Sequence, residues 1–198
     1  RSTRTRTGVR GAVVKPDSLR KSFKTRNGRT VYDGEGIAPD IEIKNPVPSL
    51  LETELMKGSH FFFFANQMAS QRDTFKADSI SNEMFSEFQS YLEKNNFSYE
   101  TESERYLASV EQRLGQQVEG TDVEAHLDAI DQAINNKKQQ DFKSQNKELK
   151  RALYLELISR FEGNAGRIKA SLRWDPAIDE ALHVINNKNR YRDILAIK

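Results

Sequence analysis

The side chains able to do chemistry are few and scattered. The histidines are His60, His126 and His183. None has a second histidine or an acid at the helical spacing of a metal site, and Glu124 and Asp128 beside His126 read as the charges of a solvated face. No serine sits in a Gly-x-Ser-x-Gly elbow. Gly34-Glu35-Gly36 is too short for a dinucleotide loop, and no phosphate-binding Walker sequence occurs. Acid catalysis by a carboxylate pair needs two groups converging in a cleft with split pKa values. Glu52 and Glu54 belong on solvent faces instead. There is no cysteine, which excludes disulfides, thiol catalysis and thiolate metal sites. No metal, no cofactor and no catalytic residue is therefore expected within this chain.

Composition narrows the class further. The 198 residues are 30% charged and 36% hydrophobic, enough for one domain or two small ones with a core. The longest purely apolar run, Phe61 to Ala65, falls far short of the ~18 residues of a membrane span. Arg1 to Gly11 contains no apolar stretch, so no secretory signal is expected in it. Charge is uneven. Residues 1–29 hold ten Arg or Lys against one acid, Asp17, for a net +9, and the rest of the chain is −7. Such asymmetry can mark a nucleic-acid arm. Here the arm has no aromatic to stack on a base before Phe23, and it reads as a solvated surface segment; no nucleic-acid partner is expected.

Three regimes follow along the chain. Residues 1–21 read as coil, with a short strand at Ala12 to Lys15. Residues 22–46 are β-like. Ser22 to Thr25 and Thr30 to Tyr32 alternate around Asn27-Gly28, which predicts a two-residue type I′ hairpin turn with both central residues at positive φ. A loop of two glycines and a proline leads to a third short strand, Ile41-Glu42-Ile43. From Ser49 the pattern is helical. Ser49…Glu52 and Thr121…Glu124 have the spacing of capping boxes. Leu50 to Met56 form a first helix, and Gly58 stops it. In a second helix, Phe61 to Arg72, four consecutive phenylalanines predict burial around most of the circumference. A third opens at Ser81 or Asn82 and turns Met84, Phe85, Phe88, Tyr91 and Leu92 to one face. A fourth opens at Thr101 with Tyr106, Leu107, Val110 and Leu114 inward. Helices through Leu127, Ile130 and Ile134, over Phe142 to Phe161, and at Ile168 and Leu172 follow. Asp175-Pro176 is an N-cap with proline at the first helical position, ahead of Ile178, Ala181, Leu182 and Ile185. Arg190 to Ile197 closes the chain. No fixed-period repeat is present. The fold class is thus mainly α: an irregular helical bundle preceded by a short β-hairpin segment.

One stretch is distinctive beyond its propensities. Phe23 to Ile41 fits the pattern F-x-T-x-x-G-R-x-V-x-D-G-G-G-I-x-P-D-I, with Glu35, between Gly34 and Gly36, where the second position of the glycine run is more often glycine. The stretch resembles the one that closes the protease domain of C-terminal processing (tail-specific) serine peptidases, closest to the forms of Bacteroidetes-type bacteria. Pro16-Asp17-Ser18-Leu19 is similar to the stretch ahead of it. Trp174 to Leu182 and Tyr191 to Leu195 resemble parts of that family's helical tail. The motif positions are Gly28, Arg29, Asp33, Gly34, Gly36, Pro39 and Asp40.

The resemblance implies a parent enzyme with a serine–lysine dyad, often preceded by a PDZ module that recognises peptide tails. It implies that residues 1–46 are the end of a protease domain and residues 47–198 a helical C-terminal domain. The nucleophile and base of that family lie upstream of the motif, so none is expected here. Ser18, Ser22 and Lys24 do not match them. The expected partners are the rest of the protease domain and, for the parent, protein or peptide substrates. Exposed strand edges invite pairing of two copies. The expected location is the periplasm or cell envelope of a Gram-negative bacterium. The alternatives are a stand-alone helical interaction module and a nucleic-acid binder through the basic arm.

Overall fold

A computed structural model describes residues 21–33, 39–115 and 122–195. The expected strand at Ala12 to Lys15 and the cap at Thr121 lie outside these residues. Among the described residues the chain is mainly helical, with eight α-helices after one two-stranded antiparallel hairpin. Residues Pro46–Arg173 form one compact unit; the hairpin and the two last helices belong to the other, Arg1–Asn45 with Trp174–Lys198.

The hairpin pairs β1 (Ser22–Lys24) with β2 (Thr30–Tyr32) in the register Ser22 to Tyr32, Phe23 to Val31 and Lys24 to Thr30. Its turn is not the two-residue type I′ form. The Thr25 N–H donates to the Arg29 carbonyl at 2.8 Å, and the Gly28 N–H donates to the Thr25 carbonyl at 2.9 Å. Arg26, Asn27 and Gly28 therefore make a three-residue loop, a β-turn followed by one left-handed residue. Only Gly28, at φ +82°, carries the positive φ; Asn27 does not. A single glycine suffices because the turn's handedness is corrected at one position rather than two. The expected third strand, Ile41 to Ile43, is extended coil. It alternates half-buried and exposed residues, but among the described residues no strand pairs with it.

The larger unit is built around α6 (Asn146–Ser171). Leu149, Leu153 and Leu157 recur every four residues and are fully buried, with Ile158 beside them. This stripe packs chiefly on α2 (His60–Gln71), whose Phe61, Phe64, Ala65 and Met68 share its inward face. Two further helices close the core. Leu51 and Leu55 of α1 (Leu50–Lys57) and Phe85, Phe88 and Leu92 of α3 (Asn82–Lys94) are buried. Phe88 is the aromatic hub, 5.2 Å from the rings of both Phe61 and Phe64.

The phenylalanine run is not buried on most sides. Phe62 is 46% exposed and Phe63 54%, and their rings meet edge to face at 5.6 Å. The helical step of about 100° per residue explains it: 61, 64, 65 and 68 share a face that 62 and 63 cannot reach. α1 is capped by Ser49, whose hydroxyl accepts from the Glu52 N–H at 3.1 Å; the reciprocal half of the expected capping box is not made. Ser49 Oγ instead donates to Gln145 Oε1. The complete box is at α4 (Glu102–Leu114), where Thr101 and Glu104 exchange both bonds.

α4 and α5 (Asp122–Ser144) pack as an antiparallel pair. The expected inward face of α4 is narrower than its sequence suggests. Leu107 is buried and Leu114 half-buried, but Tyr106 and Val110 are exposed. α5 buries no residue fully. Phe142 falls at the end of α5, and the break before α6 lies at Gln145. α6 is itself interrupted at Gly163, at φ +70° and ψ −171°, so Ile168 sits on a separate short segment as expected. A 3-10 turn, Leu172–Trp174, leads to α7 (Pro176–Asn186). Asp175 caps α7 by accepting from the Ala177 N–H at 2.8 Å, with Pro176 in the first turn. Leu182 and Ile185 of α7 are exposed. α8 (Lys188–Leu195) packs on α7, and Arg190 is ion-paired with Glu180.

Leu153→Ala is expected to lower unfolding free energy by about 2–5 kcal/mol, because a closed core retains the cavity. Leu182→Ala, on an exposed face, is expected to stay within ~0.5 kcal/mol of the parent. Urea denaturation followed by circular dichroism compares the two.

Candidate interaction site

Two groups of residues form organised polar geometry. The first is the hairpin motif. Asp33 is tied to Lys21 twice: its N–H donates to the Lys21 carbonyl at 3.1 Å, and its Oδ1 accepts from the Lys21 N–H at 2.8 Å. The Arg29 guanidinium is ion-paired with Asp40, seven positions past Asp33. The Arg29 N–H also donates to Thr25 Oγ1 at 3.1 Å. Gly28 supplies the left-handed turn residue, and Pro39 is exposed beside Asp40. The structure thus joins Arg29 to Asp40 and Asp33 to the strand entry. Gly34 and Gly36 lie outside the described residues. The geometry is that of a pinned loop, with no nucleophile in it. Ser22 and Lys24 are both exposed on β1.

The second group lies where the α3–α4 connection meets α5. The Lys138 ammonium is 2.7 Å from Glu104 Oε1 and 4.9 Å from the centre of the Tyr99 ring. The Tyr99 hydroxyl donates to Asp141 Oδ2 at 2.9 Å, and Asp141 Oδ1 is 2.5 Å from Lys137 Nζ. Burial, then the Asp141 carboxylate, push the Tyr99 phenol far above its usual range. Burial also pushes the Glu104 carboxyl up. The hydrogen bonds from Lys138 and Thr101 outweigh it and hold the group below the ordinary value. This network ties the start of α4 and the connection before it to the C-terminal part of α5. The helix start at Thr101 was legible in the sequence; Lys138 lies 34 positions from Glu104 and Asp141 lies 42 from Tyr99, and neither carries a local signal.

His60 starts α2 inside an aromatic cluster. Its ring is 4.9 Å from Phe97 and 6.4 Å from Tyr91, both edge to face. Its Nδ1 is buried without a hydrogen-bond partner. Desolvation lowers its pKa below 6.5. His126 and His183 are exposed. Among the described residues no three His, Asp or Glu side chains converge as a metal site. Nor is any helix there long and apolar enough to cross a membrane. A groove of about 560 Å³ runs between α2 and α3, floored by Phe64, Met68 and Tyr91.

Residues 51–185 match the family model described as the C-terminal helical domain of a probable PDZ-protease. The chain belongs to this family. The match covers α1 through nearly all of α7, so the helical bundle is the part that defines the family here. No curated protein and no solved structure matches. The family agrees with the resemblance carried by Phe23 to Ile41, a stretch that lies wholly outside the matched residues.

The clamp and His60 give this helical domain two acid-sensitive steps. The His60 folded-state pKa lies below its unfolded value. Its contribution is therefore full above pH 6.5 and lost as pH falls through the folded value. Glu104 behaves alike in a lower window, below 4.5. His60→Phe is expected to flatten the first step and leave the second, measured as the urea midpoint against pH. Lys138→Met is expected to cost about 1 kcal/mol at neutral pH by orphaning Glu104 and uncovering Tyr99, read from the same denaturation curves.

Proposed function

We propose that this chain is the C-terminal portion of a tail-specific serine endopeptidase. Residues 1–46 end its protease domain, and residues 47–198 are its helical C-terminal domain. The observation that carries the reading is the conjunction of two independent signals. The helical residues match a PDZ-protease domain. Ahead of them stands Gly28-Arg29…Asp33-Gly34…Pro39-Asp40, the closing motif of the tail-specific peptidases, folded as a turn and an ion pair. In the parent, a serine activated by a neutral lysine attacks the peptide carbonyl. No residue of this chain is assigned to that step. The helical domain supports the protease core, shapes substrate access or serves assembly. The parent works in the periplasm or cell envelope of a Gram-negative bacterium, on protein or peptide substrates.

Purified 1–198 is expected to leave an unfolded protein substrate intact and to resist labelling by a fluorophosphonate probe. The gene upstream of the Arg1 codon is expected to encode an in-frame serine and lysine of the dyad. Hydrolysis by 1–198 that the probe abolishes, or an upstream reading frame without that pair, overturns the proposal.

A further inference from the structure

The groove between α2 and α3 is long and thin. α3 lines it with a single stripe that runs from Glu83 to Asn95, about 18 Å at 1.5 Å per residue. α2 supplies the other wall. The Phe64 ring is 5.5 Å from Tyr91, and the His60 ring is 4.9 Å from Phe97, so the two helices are antiparallel and Gln71 lies toward Glu83. Spread over that length, 560 Å³ is about 30 Å² in section, roughly 6 Å across. A helix, about 10–12 Å wide, is too thick for it. A single extended chain, which sits ~5 Å from a neighbouring strand, fits.

The walls suit the same occupant. Gln67 and Gln71 of α2 and Ser86 and Ser90 of α3 are exposed, and their side chains make no hydrogen bond among the described residues. A helix arrives with its backbone groups already paired. An extended chain arrives with N–H and C=O groups that need partners, and amides and hydroxyls on both walls offer them. The two ends differ in charge. Glu83 and Glu87 stand on consecutive turns at one end, and Lys94 at the other. Among the described residues Glu87 and Lys94 have no ion-pair partner. Glu83 is the weaker anchor, because it faces Lys150, whose ammonium is 2.6 Å from Asn82 Oδ1. Arg72, Asp73 and Glu93 follow or precede wall residues in sequence and do not line the groove.

We propose that the α2–α3 groove binds an extended segment of another polypeptide, with a Lys or Arg against Glu87 and Glu83 and an Asp or Glu four positions away against Lys94. Along α3, Lys94 is about 10 Å from Glu87 and about 16 Å from Glu83. Four positions of extended chain span about 13 Å, between those separations, and return the side chain to the same face. The residue midway shares that face, so an apolar side chain there meets the floor of Phe64, Met68 and Tyr91. The inference rests on the groove alone and stands whether or not the chain serves a peptidase.

Fluorescence anisotropy is the test, with 1–198 titrated into the peptide Gly-Lys-Thr-Leu-Thr-Asp-Gly, dye-labelled at its amino end and amidated at its carboxyl end. The expected result is saturable binding with Kd below ~1 mM. The isomer Gly-Thr-Lys-Asp-Thr-Leu-Gly, with the charges adjacent, is expected to bind about tenfold weaker or worse. Glu87→Lys and Lys94→Glu are each expected to weaken the first peptide by about tenfold or more. Ser90→Trp, at an exposed position midway along the wall, is expected to abolish binding with unchanged helical circular dichroism. No saturable binding of the first peptide overturns the proposal. So does equal binding of the isomer, binding that survives Ser90→Trp, or binding that neither charge exchange weakens.

Discussion

The helical unit depends on one buried contact, the leucine stripe of α6 against the phenylalanine face of α2. Leu149, Leu153 and Leu157 are shielded completely, and Phe64 and Phe88 nearly so. Each such side chain contributes roughly 1.5–3 kcal/mol by leaving water. Nothing else in the unit buries comparable area at so few positions. α1 and α3 extend this core, and α4 and α5 are joined to each other near their base by polar groups around the buried Tyr99. The unit therefore grades from a dry centre to a wet arm, and this gradient decides where the domain is rigid and where it offers surface.

The polar clamp at the arm's base shows why that joint is polar. Tyr99 sits between a cation above its ring and a carboxylate on its hydroxyl. Glu104 closes the N-terminus of α4 and holds Lys138 at once. Tyr99, Glu104 and Lys138 each satisfy two neighbours, so the orientation of α4 to α5 is specified by directional bonds. An apolar contact of the same area would hold the two helices together but leave their rotation less defined.

Periodicity made the helices legible, and it failed where position on a helix had to become burial. The stripes Leu149/Leu153/Leu157 and Phe85/Phe88/Leu92 were readable because tertiary partners filled their faces. Tyr106 and Val110 have the same spacing and stay exposed, because α5 supplies too narrow a partner. Composition misled at Phe61 to Phe64: four large apolar residues suggested a surrounded helix, yet geometry admits only two to the core. At the hairpin the glycine was legible, but not the choice between one and two left-handed residues, which depends on the hydrogen bond closing the loop at Arg29. Ile41 to Ile43 alternates as a strand should; alternation states a preference, and a ladder needs a neighbour the local sequence does not name. Of the polar geometry, the helix start at Thr101 could be seen in advance, but its Glu104 partner and the Lys138–Tyr99–Asp141 part were not read.

The same distinction separates the chain's two kinds of signal about function. The family match rests on the bundle, whose pattern is set by packing and says which domain this is. The motif at Phe23 to Ile41 is set by backbone needs instead. Gly28 must take φ +82°, Arg29 must find Asp40, and Asp33 must close on Lys21. Such a loop contributes little apolar burial, since β1 and β2 are exposed throughout. The motif's signal is thus one of backbone geometry, separate from the packing signal on which the family match rests.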